Sequence, residues 1–254
     1  MKNYFNELND KFESQIINVY KITEFDSDFL TLAIGWLEEL EKNLRKSQGI
    51  ENIKLLPTRT IHLLTKVRDQ GPSRSKYQPV YNQSVVLLVS YFASAISDLF
   101  NDTLTHYLSN TDKLPASLGK EEFKFSLQEM SILKYDLSTE IGRMISRKSD
   151  LSFQDMGSIA KAFSRFFDTE IEWDSNVSNI IAAQACRHAI VHSGEIADNK
   201  CIKQLAVAKT RTIKIGLNEN EKIAFDKDEI VVIGDSMKVY IRNISNLLLN
   251  KLAD

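Results

Sequence analysis

Apolar side chains recur at every third or fourth position through nearly the whole chain, and little interrupts them. Phe5, Leu8, Phe12, Ile16 and Tyr20 form one such stripe; Leu30, Ala33, Trp36, Leu37, Leu40 and Leu44 form the next. A period of 3.6 gathers these positions on one face of a helix, where a strand would require alternation. With nine glycines and four prolines among 254 residues, the chain has too few breakers for an all-β or disordered protein. The expected fold class is therefore mainly α, a helical bundle.

The punctuation sets the expected elements. Helices are read over 3–21, from Asp26 or Ser27 to about Gly49, and from Pro57 to just before Gly71. The run Gly71-Pro-Ser-Arg-Ser-Lys76 is the best linker. It divides an N-terminal helical extension, 1–76, from a second unit, 77–254. A long helix follows over 79–108, with Val85, Leu88, Val89, Phe92, Ile96, Leu99, Phe100 and Leu104 on its apolar face. One or two short helices are expected in 120–148, and another over 152–168. A helix capped by Asp174 or Ser175 runs to His192 and stops at Gly194. Its Ala182, Ala183, Ala185 and Ala189 permit close helix approach, which suits the centre of a bundle or a dimer seam. Beyond a short helix near 199–208, the stretch 210–225 alternates and carries turn residues, so a small β-hairpin is expected before a last helix that begins near Asp228 or Asp235 and ends at Ala253.

Composition narrows the context. An apolar fraction of 43% supports a real core, and a net charge of −2 means that any nucleic-acid surface must be local. Two cysteines make no disulfide framework. The N-terminus lacks a signal-peptide apolar region, and the run Val85–Val89 is far too short to span a bilayer. A cytoplasmic chain is the expectation.

Arg187-His188-Ala-Ile-Val-His192-Ser-Gly194-Glu-Ile-Ala-Asp198 is where chemistry concentrates. A guanidinium presents a fork to phosphate oxygens, and imidazole exchanges a proton near neutral pH. His188 and His192 are four apart and share a helix face, whereas Arg187 and His192 diverge by roughly 140° and about 7.5 Å. Arg187 must reach around the helix, or two copies must pool their residues across a two-fold axis.

This stretch resembles the signature of the HEPN superfamily, an Arg, a polar residue and a His at the end of a late helix, here Arg187, His188 and His192. The small-residue turn and Asp198, a short polar segment before a terminal helix, and a long opening helix at 79–108 extend the likeness over about 77–254. The resemblance implies a HEPN-like bundle acting as a homodimer, and metal-independent RNA cleavage without a cofactor. Arg187 would hold the scissile phosphate, His192 would act as acid or base, and His188 would orient the substrate. It also implies a toxin or phage-defence role, with an antitoxin or defence-system protein as partner. Some members place an acid in the opening helix facing the site. Asp98 is the nearest here, with Ala93 at the expected position, and that role is not carried over.

Local basic clusters fit an RNA-facing surface. Lys200, Lys203, Lys209, Arg211 and Lys214 occur between Asn199 and Asn218 with no acid among them. Lys54, Arg59, Lys66, Arg68, Arg74 and Lys76 face only Asp69. Other readings stand beside this one. Arg187 could be a structural residue tied to Glu195 or Asp198. His188 and His192 could bind zinc with Cys186 and Cys201, although no complete ligand spacing is present. The domain could also be a non-catalytic HEPN module that binds RNA, nucleotide or a partner protein.

Overall fold

A computed structural model describes residues 1–48, 56–69, 78–109, 114–132 and 140–253. The linker 71–76 and the basic residues Lys54, Arg74 and Lys76 lie outside the described residues. The elements are α1 (Lys2–Gln48), α2 (Leu56–Asp69), α3 (Gln78–Ser109), α4 (Leu127–Ile132), α5 (Ile141–Lys148), α6 (Met156–Phe167), α7 (Ser175–His192), α8 (Asn199–Val207) and α9 (Lys227–Ala253). The chain is mainly helical, as the periodicity requires.

Two expected helices are one. The segment Thr23-Glu-Phe-Asp-Ser-Asp28 offers capping residues but neither glycine nor proline, and the backbone continues as α1. Its first half joins the main core through Phe5, Leu8, Phe12, Ile16 and Val19, packing on α3 and α9. The Tyr20 hydroxyl donates to the Val231 carbonyl of α9 at 3.1 Å. Gly234 makes room for that ring, since a Cβ there would collide with it. The second half of α1 leaves this core. Its buried Leu30 and Ile34 stand apart from the main cluster, and this half pairs with α2.

α3 is the hub, packed against α1, α5, α7 and α9. By length and composition it is apolar enough to cross a membrane, and half of its most apolar window is buried inside the bundle. Around Phe100 the rings of Phe153, Phe163, Phe166 and Phe167 lie within 4.9–5.5 Å, centroid to centroid. Such aromatic clusters combine a large buried area with favourable edge-to-face geometry. α5 approaches α3 closely because Gly142 has no Cβ, and one there would strike the Asn101 carbonyl.

The expected hairpin over 210–225 is not formed. Pairing there is confined to one isolated bridge, Ile196 with Lys222. The backbone is instead satisfied by side chains from the helices. The Thr212 N–H donates to Asn179 Oδ1 of α7 at 2.8 Å. Asn82 of α3 donates to the Ile223 carbonyl at 3.0 Å and accepts from the Phe225 N–H at 3.3 Å. The alternating residues Ile213, Ile223 and Phe225 are buried against the bundle as an irregular strap. Two-residue alternation records burial on one side, and helices can supply that side as well as a partner strand.

Candidate active site

α7 begins at Asp174, whose carboxylate accepts the Val177 N–H at 2.8 Å and so caps the helix. From Val177 to Cys186 every residue is buried, so this helix runs through the middle of the bundle against α3, α8 and α9. Ala182, Ala183, Ala185 and Ala189 are fully buried within the chain, and their small size lets the neighbouring helices close in. The helix then emerges. Arg187 and His188 are half-buried, while Val191 and His192 are exposed. Ser193 ends it, donating its N–H to the Ala189 carbonyl at 2.8 Å, and Gly194 turns the chain with φ of +62°.

The four residues after Gly194 fold back over the helix end. The Asp198 carboxylate accepts the Ser193 hydroxyl at 2.8 Å with one oxygen and the Cys201 N–H at 2.7 Å with the other. The second bond caps α8, so one side chain ties the end of α7 to the start of α8. These two hydrogen bonds hold the Asp198 carboxyl below its ordinary range.

That connection delivers Lys200. Its Nζ lies 3.3 Å from His188 Nε2. An ammonium can only donate, so Nε2 accepts and the ring proton sits on Nδ1. Burial, then the charges of Lys200, His192 and Arg187, push the His188 pKa below its usual value, with Asp198 opposing. His188 is therefore biased toward the neutral imidazole. Its ring centroid is 4.8 Å from that of His192, as the four-residue spacing requires.

Arg187 is not tied to a carboxylate. Glu195 pairs with Lys222 at 3.3 Å and Asp198 is engaged as described, and the Nε of Arg187 is buried with no hydrogen-bond partner. A buried guanidinium nitrogen without a partner is costly, and an anion would relieve that cost. Beneath the site Cys186 and Cys201 are buried, and the neighbouring Cys201 thiol together with burial pushes the Cys186 thiol well above its ordinary range. Among the described residues there is no cluster of three or more His, Cys, Asp or Glu able to hold a metal.

The other predicted contacts divide. Lys203 and Lys209 are exposed, as Lys200 is. Arg211 turns inward and donates to the Leu205 and Ala208 carbonyls at 2.7 and 3.0 Å, closing the end of α8. Lys214 bonds to Glu229 and the Ala224 carbonyl, and its Nζ lies 4.3 Å from the centre of the Phe225 ring. These two cations hold the strap in place. Arg59 and Lys66 are exposed on α2, apart in sequence from the α7–α8 corner. The coupling of Lys200 to His188, and the bridging role of Ser193 and Asp198, were not read from the sequence. The signal was available in Asp198 as an N-cap, which places Lys200 in the first turn of α8.

Comparison with family models, curated proteins and solved structures returned no match.

Proposed function

We propose that this protein is a metal-independent RNA endonuclease of the HEPN type, working as a homodimer in the cytoplasm as a toxin or phage-defence effector. The observation that carries the proposal is a single one. Arg187, His188 and His192 lie where the central helix leaves the core, with Lys200 against His188, and among the described residues no carboxylate forms an ion pair with Arg187 or Lys200.

The chemistry follows from these groups. A phosphodiester bound here meets the guanidinium of Arg187 and the ammonium of Lys200, which stabilise charge as it builds on the phosphorus oxygens. A neutral His188 is suited to accept the proton of the 2′-hydroxyl once Lys200 turns to phosphate. The 2′-oxygen bonds to phosphorus, the bond to the 5′-oxygen breaks, and His192 donates a proton to the leaving oxygen. The products are a 2′,3′-cyclic phosphate and a free 5′-hydroxyl. Lys203 and Lys209 extend the cationic surface along the RNA backbone. The Ala-rich face of α7 is already covered within one chain, so pairing at the site uses the exposed Val191 and His192 edge.

The test is cleavage of total cellular RNA in EDTA by wild type, His192→Ala and His188→Ala, with termini analysed. Discrete fragments with cyclic or 3′-phosphate ends, from wild type only, are expected. Equal cutting by wild type and His192→Ala would overturn the assignment. Salt-dependent RNA binding without cleavage by wild type would make the domain a binding module.

A further inference from the structure

We infer that the projecting half of α1 is a second self-association surface, on which two copies of this chain pair antiparallel about Trp36. The surface is distinct from the α7–α8 corner and does not depend on the chemistry proposed there.

Leu30 and Ile34 face α2 and are buried, yet the opposite side of the same turns is apolar too. Leu32, Trp36 and Leu40 follow one another at four-residue spacing and are 50%, 68% and 48% exposed. Among the described residues, burial against α2 accounts for the first of these apolar faces, and the second, left exposed on the same turns, calls for another partner.

Charge identifies that partner as the chain itself. At 100° per residue, Asp28 and Lys46 fall on the same flank of the stripe, about two turns before Trp36 and nearly three turns after it. Both are exposed, and neither makes an ion pair among the described residues. A two-fold axis through Trp36, perpendicular to the helix, sets Leu32 of each copy against Leu40 of the other. The same operation brings Asp28 of each copy to the level of Lys46 of the other, within about two residues, or 3 Å. Two ion pairs then flank the apolar contact. A parallel pair would turn this flank toward the opposite one and would not bring Asp28 of one copy to the level of Lys46 of the other. It would also bring both globular bodies, built around the first half of α1, to the same end. Antiparallel pairing places them at opposite ends.

The experiment is sedimentation velocity on the full-length protein, wild type and variants, with circular dichroism to confirm folding. Wild type is expected to sediment at micromolar concentration as a larger assembly than Trp36→Glu, which keeps its helical signal and falls back to whatever association the α7–α8 corner alone supports. Asp28→Lys or Lys46→Asp alone should weaken association tenfold or more, and the double variant should restore it. Mixed Leu32→Cys and Leu40→Cys proteins should cross-link to each other, and neither to itself. A monomeric wild type, unchanged association in folded Trp36→Glu, or Leu32→Cys self-cross-links would overturn the inference. RNA cleavage read in the same samples separates its failure from that of the proposed function.

Discussion

Replacing Asp198 tests whether the corner that carries the proposed chemistry is built as described. Its carboxylate makes two bonds, one to the Cys201 N–H that caps α8 and one to the Ser193 hydroxyl at the end of α7. Loss of an N-cap to alanine costs about 1 kcal/mol. A hydrogen bond to a charged acceptor contributes about 1.5–3 kcal/mol when sheltered, and about 1 kcal/mol is appropriate at this half-exposed position. Asp198→Ala should therefore destabilise by about 2 kcal/mol, and Asp198→Asn, which keeps a capping oxygen, by about 1 kcal/mol. In a chain of this size 2 kcal/mol lowers Tm by about 4–8 °C. Urea unfolding followed by circular dichroism at pH 7 reads the difference. Because the carboxyl pKa is held low in the folded protein, its stabilisation is present above the ordinary carboxylate range. It is lost as pH falls through the lowered value, so wild type and Asp198→Ala should converge in acid. A pH 7 difference under about 0.5 kcal/mol, or one that persists unchanged in acid, would refute the bridging role, since a lost cap alone exceeds the first.

Other expectations are as direct. Lys200→Ala should raise the His188 titration midpoint in an NMR pH series, because Lys200 is among the charges that hold it down; an unmoved midpoint would count against their contact. His188 is disfavoured as a cation in the fold, so its term in stability is complete above the ordinary histidine pKa of about 6.5 and is lost as pH falls below it, and His188→Gln should flatten that part of the stability profile. Gly142→Ala should destabilise by about 2–3 kcal/mol through collision with the Asn101 carbonyl, whereas Gly119→Ala, with open space around it, should change stability by less than about 0.5 kcal/mol; equal effects would show that α5 does not approach α3 as described.

What could be read from the chain depended on how local the cause was. α7 is announced by Asp174 at its start and Gly194 beyond its end, and both act where they stand. The break expected near Asp26 failed because capping residues permit a helix start without forcing one, and no glycine or proline opposed continuation. The strap over 210–225 defeated the reading because its hydrogen-bond partners, Asn82 and Asn179, lie on helices far away in sequence. The same limit applies at the site. Arg187, His188 and His192 are neighbours by helical geometry alone. Lys200 reaches His188 only because Asp198 folds α8 back over α7, and Arg211 and Lys214 appear free in sequence until their carbonyl and carboxylate partners are known.

α1 carries a consequence for motion. It is one continuous helix, yet its first half is clamped between α3 and α9, and its second half rests on α2 and a separate patch of burial. The free energy of opening follows what a segment is packed against, not the regularity of its backbone. Amide protons from Phe12 to Tyr20, inside the clamped part of the helix, should therefore exchange only when the whole molecule unfolds. Those beyond Leu30 should exchange through local opening of the α1–α2 pair, so a single helix would report two stabilities along its length.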